Sequence, residues 1–335
     1  MRSSRIRVPP MSSAETSTSP ARGRIVWVLL CVGAVLASCG DAGSGDSDAL
    51  VMYTTVTQET VDAVVAAFQE ANPDGEIEVF RAPTGEVTAR IAAELRNGEL
   101  GADILWLTDP LSIQQYEADG LLRQWTPEEA ESVPAEYRTE TFFGTRILNM
   151  VIIAGEGEQV SDWSGLPDLG SVAIPDPSFA GSAFGALAYF ALDPAYGLDF
   201  YRDLRSNGAV QVNSPGDVVS GVAEGIYRAG MTLDFSARAA IADGSPVQLI
   251  WPESGGIAIY SPIAIVDSSG SALAEDFVNL VLSAEGQSAI AATGWQPIRS
   301  DVSWEHGGPQ VTVNWSRAFD RQEELLDDYR SLFES

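Results

Sequence analysis

Four short stretches concentrate hydroxyl groups, glycine and free backbone donors: Thr54-Thr55-Val56-Thr57, Thr84-Gly85, Ser178-Phe179-Ala180-Gly181-Ser182 and Asp234-Phe235-Ser236. Each follows a short apolar run and precedes a helical pattern, which aims helix N–H groups and the positive end of a helix dipole at whatever lies beyond the strand ends. The chemistry such loops suit is recognition of an oxyanion by hydrogen bonds. Turns and helix caps are built from the same residue types, and that is the competing role for every one of these loops. Arg81, just ahead of Thr84, and Arg238, just after Ser236, can each add a forked donor to an anion or pair with a surface carboxylate instead.

Other chemistries find little support. His306, the only histidine, stands in a glycine-rich HGGP segment and reads as a loop residue, so a Ser-His-Asp triad or a histidine zinc site has nothing further to draw on. All 19 basic residues are arginine, which excludes a lysine-dependent phosphate loop, and neither a G-x-S-x-G elbow nor an H-E-x-x-H pair occurs. With 47 acidic residues, carboxylate pairs are background, although a secreted two-carboxylate glycosidase stays open as an alternative. The formal net charge of -28 repels nucleic acid and anionic lipid headgroups. No cofactor is expected.

The N-terminal segment sets the compartment. Arg22 and Arg24 flank an apolar run over residues 25–36, too short for a membrane span, which closes on Leu36-Ala37-Ser38-Cys39 and reads as a bacterial lipobox. Residues 1–38 are then a signal peptide, Cys39 the acylated first residue of the mature chain, and residues 39–48 a glycine-rich tether. The expected location is the extracytoplasmic face of the cell membrane, touched through the lipid anchor only. Cys31 lies inside the signal, so the mature chain has no disulfide and no thiol nucleophile. Roughly 300 residues remain, enough for two lobes.

The elements that carry the loops alternate strand and helix. Residues 50–54 read as a strand, and Val61, Val64, Val65 and Phe68 share one helical face until Asn72-Pro73 ends it. Strands over 76–80 and 103–107 follow, with a helix marked by Val87, Ile91 and Leu95 between them. In the second half, a strand over 172–174 leads to a helix over 183–191, and Ser214-Pro215-Gly216-Asp217 starts another with Ser as N-cap and Pro at N1. Strands over 229–233, 247–251 and 257–266, then helices over 272–282 and 284–293, precede one closing amphipathic helix over 314–333. This is an α/β chain of mixed, mostly parallel sheets flanked by helices.

Tyr53-Thr54-Thr55, Thr84-Gly85-Glu86 with Glu94, Ala102-Asp103-Ile104-Leu105-Trp106, Asp176-Pro177-Ser178 with Gly181-Ser182, Trp251-Pro252-Glu253 and Ser261-Pro262-Ile263-Ala264-Ile265 occur in that order. Ser283, Glu285, Gly286 and Gln287 close the series after a helix ending at Leu282. The set resembles the extracytoplasmic solute-binding proteins of ABC importers, in the group that includes ferric-iron, phosphonate, sugar-phosphate and thiamine binders. That resemblance implies a two-lobed, periplasmic-binding-protein-like fold with a ligand cleft between the lobes. The first lobe would be residues 49–150 plus 260–335, the second residues 151–259, with crossings at 145–154 and 257–262 and the closing helix packed on the first lobe. It further implies a monomeric, non-enzymatic receptor that serves a membrane permease and its cytoplasmic ATPase. A lipid-anchored sensory protein on the same fold is another reading.

Ferric members of the group carry adjacent tyrosines in the loop corresponding to residues 233–237. This chain has Phe235 and Ser236 there, and Thr57 where some members carry a histidine. If iron were the cargo, Asp109, Asp234 and Tyr260 would be the oxygen ligands. The missing tyrosine pair favours an oxyanion-bearing organic solute, with Thr108, Asp109 and Tyr260 joining the four loops as contacts and no bound metal.

Overall fold

In the computed structural model, which describes residues 49–333, the first element is the strand β1 (Leu50–Thr54), buried at four of its five positions. The expected signal segment, Cys39 and the whole tether lie outside the described residues. Helix α1 (Gln58–Ala71) buries Thr60, Val61, Val64 and Phe68, the stripe its spacing predicts for a helix laid on a sheet. β2 (Ile77–Arg81), α2 (Thr84–Arg96), β3 (Ile104–Trp106) and α3 (Pro110–Ala118) repeat the unit, and β1 pairs in parallel with both β2 and β3.

The strand β4 (Phe142–Gly155) is 14 residues long and almost wholly buried. After it come β5 (Val172–Pro175), α4 (Gly181–Leu192), α5 (Asp199–Ser206), β6 (Val210–Val212), α6 (Pro215–Ala223), β7 (Ala229–Leu233), α7 (Asp234–Ala242) and β8 (Val247–Ile250). A second long strand, β9 (Gly256–Ile265), follows, buried throughout. The helices α8 (Leu273–Leu282) and α9 (Ala284–Ala292), the short strands β10 (Gln296–Pro297) and β11 (Gln310–Thr312), and the helices α10 (Trp315–Asp320) and α11 (Gln322–Phe333) complete the chain.

Strand order is β2-β1-β3-β9-β4-β7-β5-β6. One end of the sheet carries the parallel set β2-β1-β3, the other the parallel set β7-β5-β6, and the two antiparallel strands β9 and β4 run between them. Along β4, residues from Phe142 to Met150 pair with β9 and residues from Met150 to Ala154 pair with β7. A strand this long and this apolar serves both ends, which is how the sequence run 145–154 becomes a crossing. The result is the α/β architecture that the alternating pattern predicts, in the two-lobed form that the resemblance implies. A separate apolar cluster of Ile153, Ala173, Val218, Val222, Ala237 and Val247 packs α6 and α7 onto the second lobe. Among the described residues no helix is long and apolar enough to cross a membrane.

The C-terminal segment departs from its expected form. The single helix predicted over 314–333 is broken at Arg321, whose φ of -117° and ψ of 14° leave the helical region. α10 packs on α3, but α11 lies on α4 and α5 of the second lobe rather than on the first. Tyr329 accounts for that seat. Fully buried, its ring meets Tyr201 edge-on at 5.1 Å, and its hydroxyl accepts from Gln211 Nε2 at 3.1 Å. Tyr329→Ala is expected to cost about 3–5 kcal/mol, as for other buried aromatic truncations. Thermal unfolding checks it: an unchanged melting temperature would show that α11 contributes nothing to the second lobe.

Candidate functional site

The loop between β1 and α1 is the floor of the lobe boundary. Thr54 is spent on holding it, since its Oγ1 donates to the Trp106 carbonyl at 2.7 Å and accepts from Val56 N at 3.0 Å. Thr55 ties the loop to the one after β3, its Oγ1 lying 2.9 Å from Thr108 Oγ1 and accepting from Thr108 N at 2.8 Å. On the other side a chain of hydroxyls runs from Thr57 to Thr60 to Thr293, each step 2.9 Å. Thr57 gives α1 no side-chain cap, so the helix meets the boundary with its N-terminal donors uncapped by a side chain.

Beside Thr60 lies a residue that the sequence loops do not include. Arg146 is 0% exposed, set in β4 where a bulge shifts the register between Gly144 and Arg146. Its guanidinium stands 4.3 Å over the Trp295 ring and reaches Thr60 Oγ1 at 3.4 Å, but its Nε and Nη2 are buried without a partner. Desolvation alone, with no carboxylate beside it, pushes its pKa down to about 9. The signal in the sequence was a lone charge inside the apolar crossing run.

Asp109 lies at the far end of the same loop system. It caps α3, its Oδ1 accepting from Ser112 N at 2.9 Å, in the Asp-Pro arrangement that favours a helix start. Its Oδ2 is buried and unpartnered, the residue being 4% exposed, and burial raises its pKa above the usual carboxylate value. The N-terminus of α4 closes on it from the second lobe. A Cβ built on Gly181 would stand 2.5 Å from Asp109 Cβ, so only glycine permits this approach. Ala180, the N-cap of α4, supplies no side-chain cap, and half-buried Ser182 lies in the first turn. Ser178, by contrast, is exposed: its N–H donates to Asp176 Oδ1 at 2.7 Å and its Oγ accepts from Arg330 on α11 at 3.4 Å. With Phe179, Gln211 and Phe333 it lines a pocket of about 370 Å³ against α11.

The second lobe meets the other end of the floor through α7. Asp234 is buried and ion-paired to Arg238 at 3.0 Å, while Arg238 also donates to the Gly294 carbonyl at 2.7 Å. Burial raises the Asp234 pKa and the Arg238 charge works against that rise. Phe235 stacks on Trp295 at 4.3 Å and 13°, so Trp295 is sandwiched between Phe235 and the Arg146 guanidinium.

The structure thus brings Thr55, Thr108, Asp109 and Gly181 together at one end of the β1–α1 loop, and at its other end links Thr57 through Thr60 to Thr293, next to Gly294, on which Phe235 and Arg238 close. Thr84 and Gly85 head α2 just after Ala82, whose N–H donates to the Thr54 carbonyl at 3.2 Å, with open space around Gly85. Tyr260 is enclosed by Tyr137 at 5.4 Å and Trp315 at 5.7 Å, an aromatic cluster rather than a loop position. Both expected arginines are engaged in the structure, Arg81 through its Nε alone. Arg81 Nε donates to the Val56 carbonyl at 2.7 Å, bracing the floor loop, and Arg238 is held by Asp234. For a ferric ion, Asp234 would have to leave its ion pair with Arg238. Among the described residues no group of three His, Cys, Asp or Glu is placed to hold a metal ion.

A family model described as bacterial extracellular solute-binding protein matches residues 49–296. An uncharacterised protein of Haemophilus influenzae is 26% identical over 289 residues, covering 78% of this chain and 81% of the relative. Among solved structures, the substrate-binding protein of an ABC transporter from Agrobacterium tumefaciens superposes with a TM-score of 0.75 at 17% identity, covering 87% of this chain and 95% of the other. The ferric binding protein from Campylobacter jejuni gives 0.74 at 17% identity, with 84% and 99% covered. The periplasmic binding protein AfuA from Actinobacillus pleuropneumoniae, bound to fructose-6-phosphate, gives 0.69 at 18% identity, with 85% and 98% covered. At such identities the structural likeness speaks for the fold.

Proposed function

The chain belongs to the bacterial extracellular solute-binding proteins, and we propose that it is the lipid-anchored receptor of an ABC importer that captures a small oxyanion-bearing organic solute between its lobes. It acts as a monomeric receptor without catalysis and hands the closed complex to a membrane permease driven by a cytoplasmic ATPase. The observation that carries the ligand class is Arg146. A fully buried guanidinium with two unpartnered nitrogens is costly unless an anion completes it, and the uncapped start of α1 beside Thr60 adds donors of the same preference. Closure is a population shift, so the solute must hold the lobes together better than it holds them apart. The meeting of Asp109 with Gly181 and of Phe235 with Trp295 supplies the two contacts such closing would make.

The ligand class is tested by a thermal-shift series with phosphonates, sugar phosphates, ferric citrate, thiamine and polyamines. A saturable rise with a phosphorus oxyanion is expected. Saturable ferric binding with a tyrosinate-to-iron absorption band, and no response to the organophosphorus compounds, would replace this reading with an iron receptor. The anchor has its own test. Cys39→Ala should release the protein from membranes and abolish incorporation of labelled palmitate, and equal membrane association of variant and parent would contradict lipidation at Cys39.

A further inference from the structure

Two buried ionisable groups of opposite sign each keep polar atoms without a partner, and the loop between β1 and α1 connects them. Arg146 reaches the loop between β1 and α1 through Thr60 and Thr57, while Asp109 reaches it through Thr108 and Thr55. Each end is covered by the second lobe, the first by Phe235 across Trp295 and the second by Gly181. The unpartnered atoms are Arg146 Nε and Nη2 at one end and Asp109 Oδ2 at the other.

A plain oxyanion would complete Arg146 but would leave Asp109 buried, uncompensated and repelled by the ligand's own charge. A sugar hydroxyl can donate to Asp109 Oδ2, yet it leaves that negative charge without a counterion in a site closed to water. A solute carrying both signs answers both ends at once. We infer that the ligand is zwitterionic, with its oxyanion on Arg146 and the start of α1 and an ammonium group on Asp109 Oδ2. The inference rests on the receptor reading above and narrows its ligand class.

Titration calorimetry on the full chain tests it with matched pairs: ω-aminoalkylphosphonates of increasing length against alkylphosphonates lacking the amine, the same pairs as sulfonates and carboxylates, and sugar phosphates. The amine-bearing member of one pair is expected to bind at least ~30-fold more tightly, as for a buried charge pair gained at an interface. Asp109→Asn should bring its affinity down to that of the amine-free partner. Equal affinities within every pair, or a preference for sugar phosphates, would remove the ammonium subsite and leave the oxyanion reading standing. No binding of any oxyanion would remove both. The pairwise comparison is made on the parent protein, so it decides the question even if Asp109→Asn fails to fold.

Discussion

Replacing Arg146 with methionine is expected to abolish solute capture while leaving the empty protein as stable as before, or more so. The two effects have opposite signs because one guanidinium causes both. With the lobes together it is fully buried, stacked on Trp295 and short of partners at two nitrogens, so a methionine of similar length removes an uncompensated charge. Such replacements of buried ionic groups are neutral or stabilising by about 1–4 kcal/mol. In the complex the loss is that of a desolvated charged partner, about 2–5 kcal/mol, or at least ~30-fold in Kd. Calorimetry for binding and thermal unfolding for stability give both numbers. Intact binding with a lowered melting temperature would show the guanidinium to be a structural prop for β4 and α1.

A second large effect is expected at Gly181. Its α-carbon is pressed against Asp109 across the lobe boundary, where an added Cβ would come within 2.5 Å. Gly181→Val puts a branched side chain into that gap, and overpacking of a tight contact costs about 1–3 kcal/mol. Because the clash exists only with the lobes together, the cost falls on the closed state, and Kd should rise roughly 10- to 100-fold while melting of the empty protein changes little. Small-angle scattering separates the causes. The parent should contract on binding its solute and the variant should not; a variant that contracts normally yet binds poorly would mean that Gly181 touches the ligand rather than permitting closure.

The strands and helices were readable because burial writes a period into the chain. The two crossings show as long apolar runs, and Ser214-Pro215 marks a helix start that the structure confirms, whereas the helix after Asp109-Pro110 was not read from the sequence. The C-terminal break was not readable. Trp315, Ala318, Leu325 and Tyr329 keep a helical period straight across Arg321, so the apolar pattern continues although the axis does not. The loops after β1, β3 and β7 and the start of α4 were placed by their position after strands, but which hydroxyls remain free depends on partners distant in sequence. Thr54 is consumed by Trp106, Arg81 gives its Nε to Val56, and Arg238 is held by Asp234 and Gly294. Arg146 escaped notice for the converse reason. It occupies a bulge in a run that otherwise reads as pure core, and only the structure shows that no carboxylate meets it.

The most direct measurement is native mass spectrometry of the protein purified without denaturation, followed by identification of whatever small molecule is released on unfolding. The receptor reading predicts one bound, oxyanion-bearing solute per chain in the parent and none in the Arg146→Met variant. Stoichiometric ferric ion held equally by both proteins, with no organic anion released, would contradict it.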